Sequence, residues 1–219
     1  MLTRLALALV GLVILAAPVK AELIAEIYGG LVKPMDQTIR FSFHGAGPSG
    51  STVTRYPDGK FAGNYVVGGR VGGIVWEEPI HLGGVLDVSW MEINIGRTDL
   101  TLLPLSLLGV IRLPITPTYP DLSAYAAGGV SMVIGVLEYP SSTTPGVIFE
   151  RPDPDVAPGI DARLGLRFGG IGPFAISVEY RFLYVQLTFK SDDLVDGARF
   201  RTDSEIESYT HFLCLVIGI

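Results

Sequence analysis

Between residues 159 and 187 the chain reads GIDARLGLRFGGIGPFAISVEYRFLYVQL. Asp161, Arg163, Gly165 and Arg167 alternate with Ile160, Ala162, Leu164, Leu166 and Phe168. After a Gly/Pro break, Ser177, Glu179 and Arg181 alternate with Ile176, Val178, Tyr180, Phe182 and Tyr184. A strict period of two predicts two β-strands joined by a tight turn, with one face charged and the other wholly apolar. The same rule predicts further strands at Glu22–Val32, Asn64–Trp76, Ile80–Met91, Leu100–Leu113, Leu122–Glu138 and Ile206–Ile219. In Leu122–Glu138, Ala, Gly and Val fall on both faces, so the register stays open. Pro104 is expected near one end of its strand, where a missing ladder donor costs least.

The eight strands are separated by short turns at 77–79, 114–121 and 169–173, alternating with longer or more polar segments at 33–62, 92–99, 139–158 and 190–205. That asymmetry predicts an all-β, eight-stranded antiparallel up-and-down transmembrane barrel, with short periplasmic turns, longer external loops and a polar lumen. A lipocalin-like soluble barrel would invert the assignment, placing the apolar face inside around a ligand. It would leave a handful of arginines and carboxylates to cover the whole exterior, and the Leu-rich run LLPLSLLGVIRL would need a very large cavity.

The first 21 residues sharpen this reading. A short basic start, Met1–Arg4, precedes an unbroken apolar run from Leu5 to Ala17, then Val19-Lys20-Ala21. This is the pattern of a secretory leader cut after Ala21, which leaves residues 22–219 as one domain. Without Arg4 and Lys20 the mature chain carries 14 basic and 22 acidic residues, a balance that argues against nucleic acid as a partner. A single cysteine, Cys214, rules out an intrachain disulfide and reads as a packing residue.

YGGLVKP at 28–34, GGRVGG at 68–73, LLPLSLLGVIRLP at 102–114, YAAGGVSM at 125–132 and GLRFGGIGPFAISVEYRF at 165–182 resemble the small outer-membrane β-barrel family that includes the OmpA transmembrane domain, OmpX and OmpW. The resemblance covers nearly all of the mature chain. It implies residence in a Gram-negative-type outer membrane among lipid and lipopolysaccharide, and insertion by the barrel assembly machinery. Another envelope protein is a further candidate partner. It implies no cofactor. The chain departs from the family in ending Ile217-Gly218-Ile219, where an aromatic residue is usual.

The candidate chemistry lies on the inward face. Glu22, Glu26, Asp87, Asp161 and Glu179 stand against Arg70, Arg112, Arg163, Arg167 and Arg181, five against five with no lysine. Arginine can bridge two carboxylates at once, which suits a crowded lumen of low dielectric. An eight-stranded barrel is only wide enough for its own side chains to fill, so this set predicts a plugged lumen with a structural or surface-interaction role. The alternatives are a narrow channel for ions or small hydrophobic solutes and, more weakly, a lipid-modifying hydrolase. For the last, His44, His81 and His211 are the only general bases of their kind; Ser208 and His211, three apart in a strand, point to opposite faces. No catalytic set and no metal site emerge. The acidic runs Glu150–Asp155 and Asp192–Asp196 lack calcium-loop spacing. On the outward face Tyr65, Trp90, Phe168, Phe174, Tyr180 and Tyr184 fit interfacial girdles.

Overall fold

A computed structural model describes residues 22–45, 50–56, 64–76, 80–95, 98–116, 119–138, 147–148, 152–171, 174–195 and 198–219; the expected leader, residues 1–21, lies outside them. Ten strands follow in order: β1 (Glu22–Gly45), β2 (Gly50–Tyr56), β3 (Tyr65–Trp76), β4 (His81–Ile95), β5 (Thr98–Thr116), β6 (Tyr119–Glu138), β7 (Val147–Ile148), β8 (Asp155–Ile171), β9 (Phe174–Val195) and β10 (Ala198–Gly218). There is no helix among the described residues. Eight strands close a ring, β1-β3-β4-β5-β6-β8-β9-β10, sealed where β10 pairs with β1. Every pairing is antiparallel and joins chain neighbours, except the seam between first and last.

The register fixes the shape. Following paired residues once round the ring from Ala175 passes Gly218, Glu26, Arg70, Asp87, Ser106, Ser131 and Gly159. It returns to β9 at Val185, ten residues further along. A stagger of ten over eight strands corresponds to a tilt of about 40° and an interior that side chains can fill. Outward residues are apolar. On β5, Leu103, Leu105, Leu107, Ile111 and Leu113 are exposed, while Leu102, Ser106, Leu108 and Arg112 are buried. Tilted by about 40°, such an eleven-residue stretch spans the ~25 Å apolar band of a bilayer barrel. The inverted, soluble assignment is excluded, because the charged set is inside.

Several expected loops are strand. β1 continues from Val32 to Gly45 and pairs with β2, in a region expected to be a long external excursion that partly continues the strands. β9 and β10 pair rung by rung as far as Val195 and Ala198, through the segment 190–205 expected to be an acidic loop. The expected breaks at 92–99, 114–121 and 139–158 are narrower too, since strand reaches Ile95, resumes at Thr98, spans Thr116 and Tyr119, and restarts at Asp155. On β9 and β10 there Ser191, Thr202 and Ser204 are buried yet polar, while Lys190, Asp192 and Arg201 are exposed, so both faces are polar, the sequence carries no period and the segment reads as loop. Pro104 is also mid-strand, opposite Val133 of β6. On its other side the β4–β5 ladder passes from Val88↔Leu105 to Met91↔Leu102, skipping the rungs that a proline cannot serve. The open register of β6 resolves with Ser123, Tyr125, Ala127, Ser131 and Val133 inward.

Candidate functional site

The short-turn half of the lumen holds the charged set. At its centre Asp161 is fully buried and accepts from Arg163 (Nη2, 2.8 Å), Arg181 (Nη2, 2.7 Å) and the Ser106 hydroxyl (2.9 Å). Arg163 also donates to Asp87 at 2.8 Å, and Ser106 meets Ser131 at 2.8 Å. Arg181 donates to Ser89 and to the Tyr28 hydroxyl, each at 3.0 Å. One layer down, Arg70 bridges Glu26 and Glu179, the latter at 2.5 Å, and Arg167 donates to Glu26 at 2.9 Å. At the mouth Arg112 donates to Glu22 at 2.9 Å and to His81 Nδ1 at 3.3 Å. All ten charged residues therefore lie in one connected cluster. Glu22 is the most open, with 37% of its side chain exposed. Among the described residues one buried side-chain polar atom has no hydrogen bond, Oε1 of Glu179; Arg163 Nη1 lies 3.6 Å from it.

Two tyrosines brace this cluster, and neither was singled out from the sequence. Tyr28 on β1 faces Gly68 on β3, and its hydroxyl donates to Asp87 on β4 at 2.9 Å. Tyr125 on β6 faces Gly165 on β8, and its hydroxyl donates to Glu179 on β9 at 2.8 Å. The two halves of the ring thus repeat one device: a ring laid over a glycine to reach a carboxylate two strands away. A Cβ at Gly68 would sit 2.5 Å from the Tyr28 ring carbon Cζ, and one at Gly165 would sit 2.4 Å from that of Tyr125. Guanidiniums cover the rings, Arg163 over Tyr28 at 5.7 Å and Arg70 over Tyr125 at 5.5 Å. The sequence signal was a tyrosine on a charged face with a glycine on the next strand. Without the register the two cannot be matched.

The far half of the lumen is apolar, which corrects the expectation of a polar lumen throughout. Met91, Ile93, Leu100, Leu102, Val133, Leu137, Leu183, Val185, Leu187, Phe189 and Ile206 are all at most 1% exposed and form one cluster. Polar atoms there come mainly from β10, whose Thr202, Ser204, Ser208 and Thr210 point inward. A lumen cavity lies at the opposite end, between Arg70, Arg112 and Arg167 on one side and Ile24, Ile74 and Val110 on the other. Its volume of about 20 Å³ is room for roughly one water.

The outward aromatics divide by height. Phe168 and Phe174 sit beside the short-turn end, where Trp76 joins them. Tyr65 and Trp90 meet at 5.2 Å on the far side of the apolar band, as do Tyr184 and the unanticipated Tyr209 at 4.9 Å. Tyr180 lies deeper and hydrogen-bonds His211. Ser208 faces in while His211 faces out, and His81 serves Arg112, so neither builds a nucleophile–base pair with that serine. The side chain of His44 lies outside the described residues. Among the described residues no His/Cys/Asp/Glu group could hold a metal. Cys214 is buried in the lumen wall. Of the acidic runs, Asp155 accepts from the Thr188 amide at 2.7 Å; Glu150, Asp193 and Asp196 fall outside the described side chains.

No family model matches the chain, and no curated protein matches it significantly. Solved structures do. The outer membrane protein OprG from Pseudomonas aeruginosa is similar over 91% of this chain and 97% of its own, with a TM-score of 0.53 and 10% identity. Neisserial surface protein A covers the same shares at TM-score 0.48 and 8% identity. The outer membrane protease OmpT from Escherichia coli does so at 0.44 and 8%. At these identities the likeness is one of fold, and it rests on the first: this chain has the fold of a small outer-membrane β-barrel, as the resemblance of its motifs led one to expect. These neighbours differ in role, and one of them is an enzyme.

Proposed function

We propose that the protein is an exported, integral outer-membrane barrel with a closed lumen, whose work is structural or done at its surface by the strands standing above the bilayer. In this reading the leader is removed after Ala21 and the assembly machinery inserts the barrel. The short-turn end faces the periplasm, and lipopolysaccharide surrounds the far end. No cofactor is needed and no reaction is catalysed. The observation that carries the reading is the two-part lumen filling. Ten charged side chains are cross-paired in one half, a buried apolar cluster occupies the other, and a cavity at the periplasmic mouth has room for about one water.

Outer membranes from cells expressing the full chain test this. A species that stays in the membrane and runs faster on a detergent gel before boiling than after is a closed barrel. Planar-bilayer recording of that species should then show no discrete conductance steps. Steady single-channel steps would overturn the closed lumen in favour of a narrow conduit. That second reading draws on the Glu179 Oε1 atom and the Arg-lined cavity at the mouth.

A further inference from the structure

We infer that the lipid-facing wall of β5, β6 and β8 is a self-association surface, which seats a second copy of this chain about a two-fold axis normal to the membrane. It rests on the outer-membrane reading above. Heights around the ring follow from the register. With a stagger of ten, one residue along a strand climbs about 2.5 Å toward the far end, and one strand along a row of paired residues, counted from β9 through β10 and β1 to β8, climbs about 3 Å. Trp90, Tyr65, Tyr184, Lys33 and Tyr209, on β4, β3, β9, β1 and β10, then lie within about 6 Å of one another in height and form a belt that closes the apolar band on those five strands. The next outward positions on β4, β9 and β10 are polar: Glu92, Gln186 and Glu207.

The wall of β5, β6 and β8 breaks the belt. Leu103, Ile134 and Val156 are rung partners on one row, and Val136 follows Ile134 on the outward face. By the same count Val156 and Val136 stand about 7–9 Å above the middle of the belt. Val156 is 54% exposed there. Toward the far end β5 and β6 carry no outward charge before Asp99 and Glu138, which face each other on one rung. The hydrocarbon has one thickness for every strand, so this extension leaves aliphatic side chains among headgroups and sugars, and an apolar patch with a polar rim marks a protein contact. A second copy is the occupant that fits. Lying in the same membrane in the same orientation, it carries an equally tall wall at the same height, and a two-fold axis brings the two extensions together. The wall is also large enough. β5 (101–113), β6 (124–136) and β8 (156–168) each present seven outward residues, of which only Thr101 is polar, and a stable interface uses about 20–30 residues a side. Its floor allows close approach. Gly84 on β4, Gly109, Gly128 and Ala162 form one outward row. A Cβ at Gly84, Gly109 or Gly128 would meet nothing nearer than a backbone oxygen at 3.6–3.9 Å, so packing within the barrel does not require glycine there. With no bulge on these rungs, such glycines mark where another chain comes near.

Cysteine cross-linking in outer membranes from cells expressing the full chain tests the surface. β6 is the middle strand of the wall, so its residues meet their own copies near the axis. Ile134→Cys and Val136→Cys, made separately, should each give a covalent dimer under copper–phenanthroline oxidation. The wild type should give none, because Cys214 is buried in the lumen wall. Leu31→Cys, exposed on β1 across the ring, should give only collisional background. Adding Val156→Lys, which stands above the hydrocarbon and should leave the gel shift intact, should cut the dimer about tenfold. No dimer from either β6 cysteine, in a barrel that shifts on the unboiled gel, overturns the surface and leaves the wall to lipid. As much dimer from Leu31→Cys, or a dimer that Val156→Lys leaves unchanged, overturns it as well. A β6 product of another mass also overturns it and gives the wall to a different protein. A wild type that shows no gel shift in membranes overturns the outer-membrane reading itself, and the surface with it.

Discussion

The two halves of the lumen are built by opposite means from the same strands. In the short-turn half, Asp161, Arg163, Arg181 and Glu179 are at most 1% exposed, and each satisfies named partners at fixed distances. In the far half, Leu102, Val185 and Leu187 are just as buried but contact their neighbours without direction. Hydrogen-bonded charge is specific and brittle. Its desolvation is offset only while every partner stays in place, and removing one strands the rest. Apolar packing degrades in proportion to the volume removed and accepts a change of shape at constant volume. One barrel therefore has a half that fixes register and a half that tolerates drift.

The largest effect should come from Asp161→Ala. It removes the carboxylate that Arg163 and Arg181 share in a fully buried site and leaves two guanidiniums to one adjacent aspartate, Asp87. A loss of about 3–5 kcal/mol is expected, read as the urea midpoint of the gel shift of refolded barrel. Asp161→Asn keeps the volume and should still lose much of this, because the charge is what the arginines require. The matched change in the other half is Leu102→Ala, with about 2–4 kcal/mol lost through the cavity it opens, while Leu102→Met should cost under about 1.5 kcal/mol. Were Asp161→Asn as harmless as Leu102→Met, the contrast between the halves would collapse.

How much of this was legible in the sequence follows the same division. Where one face meets lipid and the other is packed, the period of two survives, so the start of β1, β3, β4, β5 and the hairpin 159–187 could be read, with the ten charged residues on their faces. Above the bilayer the buried and the exposed positions of β9 and β10 are both polar, so the rungs Thr202↔Ser191 and Asp203↔Lys190 passed for loop. The apolar far half was missed for another reason. Leu100 and Leu102 alternate with Thr101 and Leu103, so periodicity gives two apolar faces and no means of separating lipid from lumen. Pairing partners were out of reach as well. Tyr28 meets Gly68 across 40 residues of sequence, and nothing local in either segment specifies that rung.

That tyrosine–glycine rung offers the smallest and sharpest test. Gly165→Ala places a methyl carbon 2.4 Å from the Tyr125 ring, so the ring must move off Glu179 and Arg70. About 1–3 kcal/mol is expected from overpacking and the lost hydrogen bonds. Tyr125→Phe keeps the ring and removes only the hydroxyl, and about 1–2 kcal/mol should follow as Glu179 loses a donor. If the glycine exists to admit the tyrosine hydroxyl, the two changes share one loss. The double variant Gly165→Ala/Tyr125→Phe should then fall short of their sum by at least about 0.5 kcal/mol in the same urea assay. Strict additivity would mean that Gly165 serves the strand alone, and the ionic half would lose its claim to be held by a shared brace. The equivalent cycle at Gly68 and Tyr28 should show the same shortfall, because Tyr28 reaches Asp87 over its glycine in the same way.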